Sequence, residues 1–495
     1  MKTKALHILR TRPIFLYLLP VFFVLHGYTE NYDFVPVNDA VILLATYLIA
    51  SLILSLLAWI FYRNFTKANL LAFCMMAFHF FFGAVQDLIK KISPDIFILK
   101  YSFILPCTAI LFIVLLISLK KTKKSFLKIT LFTNLLLLLF ILADSGWLLL
   151  KVLTVKEIKR APVSGLFKKC DNCKYPDVYL IMADGYPGQT ELKAVLGYDN
   201  QLFEQELEKR GFHVIDSSRS NYNLTPFSVA SMLDMDYLKG IAGQYSNKND
   251  IALCYNTIKQ SKLFSFLKQT GYKIYNYSIF DLTNQPSLAT PTFLPRKSKP
   301  ITAQTFISRA EKEIGFHLAT TLKIKSIIQY VRNHDLKNNR KLTAKTIKIA
   351  KEATSNPKFV YTHLIMPHYP YYFDSTGQAV SYEKITDDFI VDQGAMISYL
   401  KYSNTKLIEL VDQIKSSAAS PPIIILMSDH GFREFKVPVD NKYHFYNLNA
   451  VFFPDSNYSL FYNGMTNINQ FRVILNSQFG QQLPLLKDST SFLLE

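Results

Sequence analysis

Two stretches decide the fold. Val178-Tyr-Leu-Ile-Met-Ala-Asp184-Gly185 is an apolar run that ends abruptly on a carboxylate and a glycine. Pro421-Pro-Ile-Ile-Ile-Leu-Met-Ser428-Asp429-His430-Gly431 does the same further on. A short apolar run closed by polar residues reads as a buried strand. Four more β-rich runs lie at Phe212–Ile215, Lys273–Tyr277, Lys358–Ile365 and Ala450–Phe453. Helical patterns separate them, at Leu192–Arg210, Ser261–Thr270, Thr343–Thr354 and Asp388–Ser416. Strands alternating with helices predict a mostly parallel sheet with helices on both faces. Thr290–Pro300, with three prolines, reads as a loop, and no internal repeat or low-complexity tract interrupts the region.

Upstream of the first strand the composition changes. The 495-residue chain is 50% hydrophobic and 19% charged, and most of the apolar excess lies in the first 150 positions. Five stretches approach the roughly 20 apolar residues that a spanning helix needs: Pro13–Tyr28, Ala40–Tyr62, Ala68–Ile89, Tyr101–Leu119 and Phe126–Leu150. The first has no small-x-small cleavage site after it, so it reads as retained rather than as a signal peptide. The N-terminal tail, Arg63–Lys67 and Lys120–Lys128 are basic, whereas Thr29–Asp39 is acidic. Positive-inside counting therefore predicts a cytoplasmic N-terminus, with everything after Lys151 outside. Formal charge is +18, but its densest run, Lys120 to Lys124, lies between two spans. That placement reads as a cytoplasmic loop and excludes a nucleic-acid patch. Within the spans, His79 and Asp144 read as hydrogen-bonded packing, with a functional role as the alternative. Cys170 and Cys173 read as a small disulfide loop, because a zinc site would want a second Cys-x-x-Cys.

Functional side chains gather at the carboxyl ends of parallel strands. Asp184 sits at one such end, where it serves equally well as a turn starter. At a second, Asp429 and His430 offer a hard oxygen and a borderline imidazole, a pairing suited to Zn²⁺ or Mn²⁺. A third end, Tyr361-Thr-His363-Leu-Ile-Met-Pro367-His368-Tyr-Pro370, carries two histidines. Between the first and third lies Asn221-Tyr-Asn-Leu-Thr225-Pro226-Phe227-Ser228, where Thr before Pro predicts a helix cap. The same geometry suits a nucleophile, since a helix N-terminus favours an alkoxide and a bound phosphate.

Asp184, Thr225 and then Ser428-Asp429-His430-Gly431 resemble, in that order, the alkaline phosphatase/sulfatase superfamily. The resemblance covers about Tyr175 to Asp455. With five spans ahead of it, the chain is most similar in plan to lipoteichoic acid synthases and lipid A phosphoethanolamine transferases. It implies one divalent ion, Zn or Mn with Mg as an alternative, on Asp184, Thr225, Asp429 and His430, and Thr225 as nucleophile. His368 and His363 would contact the phosphate or protonate the leaving oxygen. His444, in Tyr443-His444-Phe-Tyr-Asn447, is a further phosphate candidate. Departures narrow the match. No C/S-x-P-x-R motif is present, so ordinary sulfate-ester hydrolysis is not expected. The transferases usually have Glu where Asp184 stands. A second permanent metal is not expected, although His363, His368 and Asp374 are the residues that would build one.

The resulting expectation is a five-helix transmembrane anchor over residues 1–153, a linker over 154–174, and an extracytoplasmic α/β sulfatase-like catalytic domain over 175–495. The expected activity is metal-dependent transfer of a substituted phosphate from a phospholipid donor to a glycan acceptor. The chain would reside in the cytoplasmic membrane and have no nucleic-acid partner. An extracytoplasmic phosphodiesterase, phosphatase or sulfatase-like hydrolase is the enzymatic rival, and a degenerate envelope scaffold is the non-enzymatic one.

Overall fold

A computed structural model describes residues 2–32, 34–92, 100–154, 166–168, 170, 173–241, 246–288, 298–310, 333–381, 384–385 and 390–494. The chain forms two compact units, one of residues 1–159 and 291–325, the other of residues 160–290 and 326–495.

In the first unit the helices are α1 (Lys2–Thr11), α2 (Phe15–Glu30), α3 (Val37–Tyr62), α4 (Phe65–Ile92), α5 (Tyr101–Lys121) and α6 (Leu127–Thr154). Helices α3 to α6 are long and apolar enough to cross a membrane. At 1.5 Å per residue, even the 21 residues of α5 reach about 30 Å, the hydrocarbon thickness. The first expected span, Pro13–Tyr28, falls on α2. Helix α2 has 16 residues, about 24 Å, and meets α1 at a 92° bend, so only the bent pair together passes as a span. Pro13 explains the break, because it lacks an N–H and drives Arg12 out of the helical region. Asp144 lies 3.1 Å from His26, and His79 packs at 5.7 Å from the Tyr47 ring. The short helices Lys299–Thr302 and Phe306–Ala310 also belong to this unit. Gly83 of α4 donates its N–H to the Gln304 carbonyl at 2.8 Å, and Arg309 pairs with Asp87 at 2.6 Å.

The second unit is built on a six-stranded sheet. Its strands are β1 (Val178–Ala183), β2 (His213–Val214), β3 (Lys273–Tyr277), β4 (Lys358–Leu364), β5 (Ile423–Met427) and β6 (Asn449–Phe452), in the order β2-β6-β5-β1-β4-β3. Strands β5, β1, β4 and β3 run parallel, and β6 and β2 add an antiparallel edge. All six expected strands are present, so the sheet is mostly parallel as read. Successive residues of β1 feed two cores: Leu180 and Met182 join Phe227 and Phe471, whereas Tyr179 and Ile181 join Tyr399 and Leu407. This is the period-2 alternation of a strand covered on both faces. Each fully buried aliphatic side chain there contributes about 2 kcal/mol of transfer free energy.

Helix boundaries depart from expectation. The single helix read across Leu192–Arg210 is two, Gln189–Ala194 and Gln201–Lys209, divided where Gly197 adopts φ +60°. The pattern at Thr343 belongs to a longer helix, His334–Lys351, and the long helix runs Gln393–Ser417 with Asp392 as its N-cap. Helices Lys248–Lys259 and Asn467–Gln478 escaped the sequence reading. The Thr290–Pro300 loop lies mostly outside the described residues. Cys170 and Cys173 form a disulfide, as expected.

Candidate functional site

Parallel pairing brings the polar strand ends together. Strand β1 lies between β4 and β5, with Met182 level with both His363 and Met427. The residues that follow, Asp184 and Asp429, therefore emerge side by side beside His363. Ligand atoms of these three lie within 4.8 Å of one another, and the residues are 6%, 1% and 0% exposed respectively. His363 Nε2 lies 3.1 Å from Asp184 Oδ2, and its Nδ1 lies 3.3 Å from the Tyr361 hydroxyl. Burial pushes the Asp184 carboxyl up, but the His363 hydrogen bond and the charges of His368, His363 and His430 outweigh it. The group is held well below the usual carboxylate range.

Asp429 is the most telling. Its Oδ1 accepts the N–H of Gly185 at 3.0 Å, while its Oδ2 is buried with no hydrogen-bond partner. Buried polar atoms are almost always paired, so an orphaned carboxylate oxygen among other donors marks a place for a cation. Two carboxylates and two imidazoles with a hydroxyl at hand make a donor set that fits Zn²⁺ or Mn²⁺.

His430 completes the arrangement. Its Nδ1–H donates to the Gly431 carbonyl at 2.6 Å, which leaves the lone pair on Nε2. That Nε2 is 3.4 Å from Asp429 Oδ2 and accepts from the Thr225 hydroxyl at 3.1 Å. Thr225 was expected to cap its helix. The cap position is instead Leu224, and Thr225 is the first residue of the helix Thr225–Asp234, followed by Pro226. Its hydroxyl is thereby turned toward His430. Ser228, one turn along, donates to the Asp429 carbonyl at 2.5 Å and ties this helix to the strand end.

The remaining histidines separate by position. His368 and His430 flank Gly185, where a β-carbon would lie 3.5 and 3.6 Å from their rings. His368 Nδ1–H donates to the Tyr369 carbonyl at 2.7 Å, and its Nε2 is 3.8 Å from Glu434. Burial lowers its pKa, but Asp184, Glu434 and that carbonyl raise it more, so the net direction is upward. His363, assigned to the phosphate from sequence, is wholly buried against the carboxylates. His444 sits one layer out: its carbonyl accepts from Gly431 N–H at 2.9 Å, and burial with the neighbouring Arg433 and His430 lowers its pKa. Asp374 is engaged with Thr376 and Gln378 in its own turn.

Several supporting residues gave no sequence signal. Asn447 Nδ2 donates to the Ser428 carbonyl at 2.6 Å, and Asn467 Nδ2 reaches the Ser428 and Asp429 carbonyls at 3.3 Å. Glu191 is fully buried and accepts from Phe432 N–H at 3.2 Å; burial pushes its carboxyl well above the ordinary range.

A separate hollow of about 130 Å³ is lined by Glu204, Glu208 and Asp216. Burial, with Asp216 and Glu208 adding to it, pushes Glu204 from 4.5 up to about 7. A carboxyl raised on folding stabilises the native state below its unfolded value, and that contribution is lost as pH rises through the folded one. Glu204→Gln is therefore expected to raise the melting temperature at pH 8, through about 3 kcal/mol, and to leave it nearly unchanged at pH 4.5. Thermal unfolding at the two pH values checks this.

No family model matches the sequence, and no curated protein matches it. Among solved structures, the chain is similar to the C-terminal periplasmic domain of EptC from Escherichia coli in complex with Zn, at TM-score 0.40 and 13% identity. That alignment covers 66% of this chain and 91% of the other. The lipooligosaccharide phosphoethanolamine transferase A from Neisseria meningitidis, an integral membrane protein, aligns at TM-score 0.38 and 10% identity over 95% of both chains. A putative sulfatase from Bacteroides thetaiotaomicron aligns at TM-score 0.37 and 11% identity, over 64% of this chain and 74% of its own.

Proposed function

We propose that the chain is a metal-dependent phosphotransferase of the cytoplasmic membrane, with its N-terminus in the cytoplasm and its α/β unit outside. It would move a substituted phosphate, of phosphoethanolamine or phosphoglycerol type, from a phospholipid to an envelope glycan. The observation that carries this reading is the Thr225 hydroxyl, 3.1 Å from His430 Nε2, beside a buried carboxylate oxygen with no hydrogen-bond partner.

Asp184, Thr225, Asp429 and His430 would hold the ion, with His363 as a further donor. Such an ion would supply positive charge that lowers the pKa of the Thr225 hydroxyl and stabilises the phosphoryl oxygens, the hydroxyl proton passing to solvent. Thr225 Oγ1 attacks phosphorus, and the bond from phosphorus to the diacylglycerol oxygen breaks. The departing alkoxide takes its proton from His368, whose Nδ1–H stays committed to Tyr369. An acceptor hydroxyl then attacks phospho-Thr225, His368 takes its proton back, and the Oγ1–phosphorus bond breaks.

The test is peptide mass spectrometry on the detergent-purified chain after incubation with mixed phospholipids and a divalent metal. A head-group phosphate adduct on the Thr225 peptide is expected, and its mass names the donor. Cleavage of water-soluble phosphate esters with no adduct would replace transfer by hydrolysis. Neither adduct nor bound metal would overturn the enzymatic reading and leave a scaffold.

A further inference from the structure

Beyond the Asp429-His430-Gly431 turn, the chain makes an excursion before it returns to the sheet at β6. Its residues, with the C-terminal end of the chain, enclose a cleft of about 660 Å³ that is distinct from the buried carboxylates. His444 lines this cleft and also touches the Asp429-His430-Gly431 turn. The carbonyl of His444 is bonded to Gly431, its ring lies 5.4 Å from Phe435 and 5.3 Å from Phe492, and its Nδ1 is buried without a hydrogen-bond partner.

The lining has two kinds of chemistry. Arg433, Lys436 and His444 provide cationic or proton-donating groups, and no carboxylate stands among the described residues that line the cleft. The rest of the wall is largely apolar, and part of it faces water: Val437 is 61% exposed and Leu494 38%. Apolar surface grouped beside cations suits a ligand that is both anionic and oily. A water-soluble phosphate ester would satisfy Lys436 but leave Val437 and Leu494 wet. A phospholipid covers both, and this chain carries four apolar helices long enough to lie in lipid.

We infer that this cleft seats the glycerol and the proximal acyl chains of an anionic phospholipid. The chains run over Phe435, Val437, Phe492 and Leu494, Lys436 and Arg433 meet the lipid's negative charge, and His444 marks the boundary with the reacting phosphoryl group. This assignment rests on the phosphotransferase reading, because it places the lipid half of the proposed donor.

The experiment uses the full chain with Thr225→Ala, so that binding is read without turnover. Dihexanoyl phosphatidylglycerol, dihexanoyl phosphatidylcholine and glycerol phosphate are titrated by calorimetry below their micellar concentrations. The anionic lipid is expected to bind at least about 10-fold more tightly than either of the others, a difference of one acyl-contact or charge-contact increment. Val437→Asp should weaken the lipid about 10-fold without changing glycerol phosphate, and Lys436→Glu should weaken the anionic lipid but not the zwitterionic one. Metal content of both variants should match the parent, which reports that the fold is intact. Lipid affinity unchanged in both variants would overturn the assignment, as would glycerol phosphate binding as tightly as the lipid. The adduct on Thr225, measured in parallel on the unmutated chain, separates the two readings. An adduct with insensitive cleft variants sinks the cleft alone. Cleft-dependent lipid binding with no adduct sinks the transferase and leaves a lipid site.

Discussion

Thr225→Ala is expected to lower turnover by at least about 10³-fold, the scale of removing a covalent nucleophile. The substitution deletes the oxygen that lies 3.1 Å from His430 Nε2 and little else. The helix it begins is set by Pro226 and by the buried Phe227, Ser228 and Val229, none of which depends on the hydroxyl. Thermal stability should therefore fall by less than about 1 kcal/mol, the value of one hydrogen bond. Thr225→Ser restores an attacking oxygen and should recover most of the lost activity, because the missing methyl costs packing rather than chemistry. Initial rates with a phospholipid donor, beside melting curves for the three proteins, check the result. An alanine variant with a tenth of the parent rate would remove Thr225 from the mechanism.

Gly431→Ala should be nearly as damaging, by a different route. A β-carbon there would stand 2.5 Å from Glu191 Oε2, 2.6 Å from the Tyr446 carbonyl and 2.9 Å from the Tyr443 carbonyl. Two of the three obstacles are backbone, so the turn itself must move. It carries Asp429 and His430 with it, because Gly431 accepts from His430 Nδ1–H and donates to His444. Overpacking of this kind costs about 1–3 kcal/mol, and a displaced support for a ligand lowers metal affinity about 10–100-fold. Equilibrium dialysis of Zn²⁺ and thermal unfolding measure the two effects. Glu191→Ala in the same chain relieves only one of the three contacts and should not restore metal binding. Full restoration would show that the carboxyl, not the backbone, was the obstacle.

Much of this site is visible in the one-dimensional pattern, for a physical reason. The buried strands β1 and β5 carry no charged residue before they end, so Asp184 and Ser428-Asp429-His430 stand out against the runs before them, whereas His363 lies within β4. Thr225-Pro226 stands out because proline is favoured in the first turn of a helix. The supporting residues have no such contrast. Glu191 and Glu434 resemble any surface acids in a chain with 37 Asp and Glu. The helix Asn467–Gln478 buries Asn467, Asn469 and Gln470, so its inward face does not read as apolar and its period is hidden. The bend at Pro13 is a local signal, but its 92° value and the 16 residues of α2, which pass as a span only together with α1, are read from the folded helices.

The sequence by itself determined the alternation of strands and helices, the apolar N-terminal helices and the residue types at the strand ends, because each is a contrast between near neighbours along the chain. Tertiary structure alone decided which of those ends meet. Placing β1 between β4 and β5 sets His363 against Asp184, leaves Asp429 Oδ2 without a hydrogen-bond partner and turns Thr225 toward His430. Strand order arises from how the two faces of the sheet bury their side chains together, and residues separated by more than 200 positions carry no local trace of it.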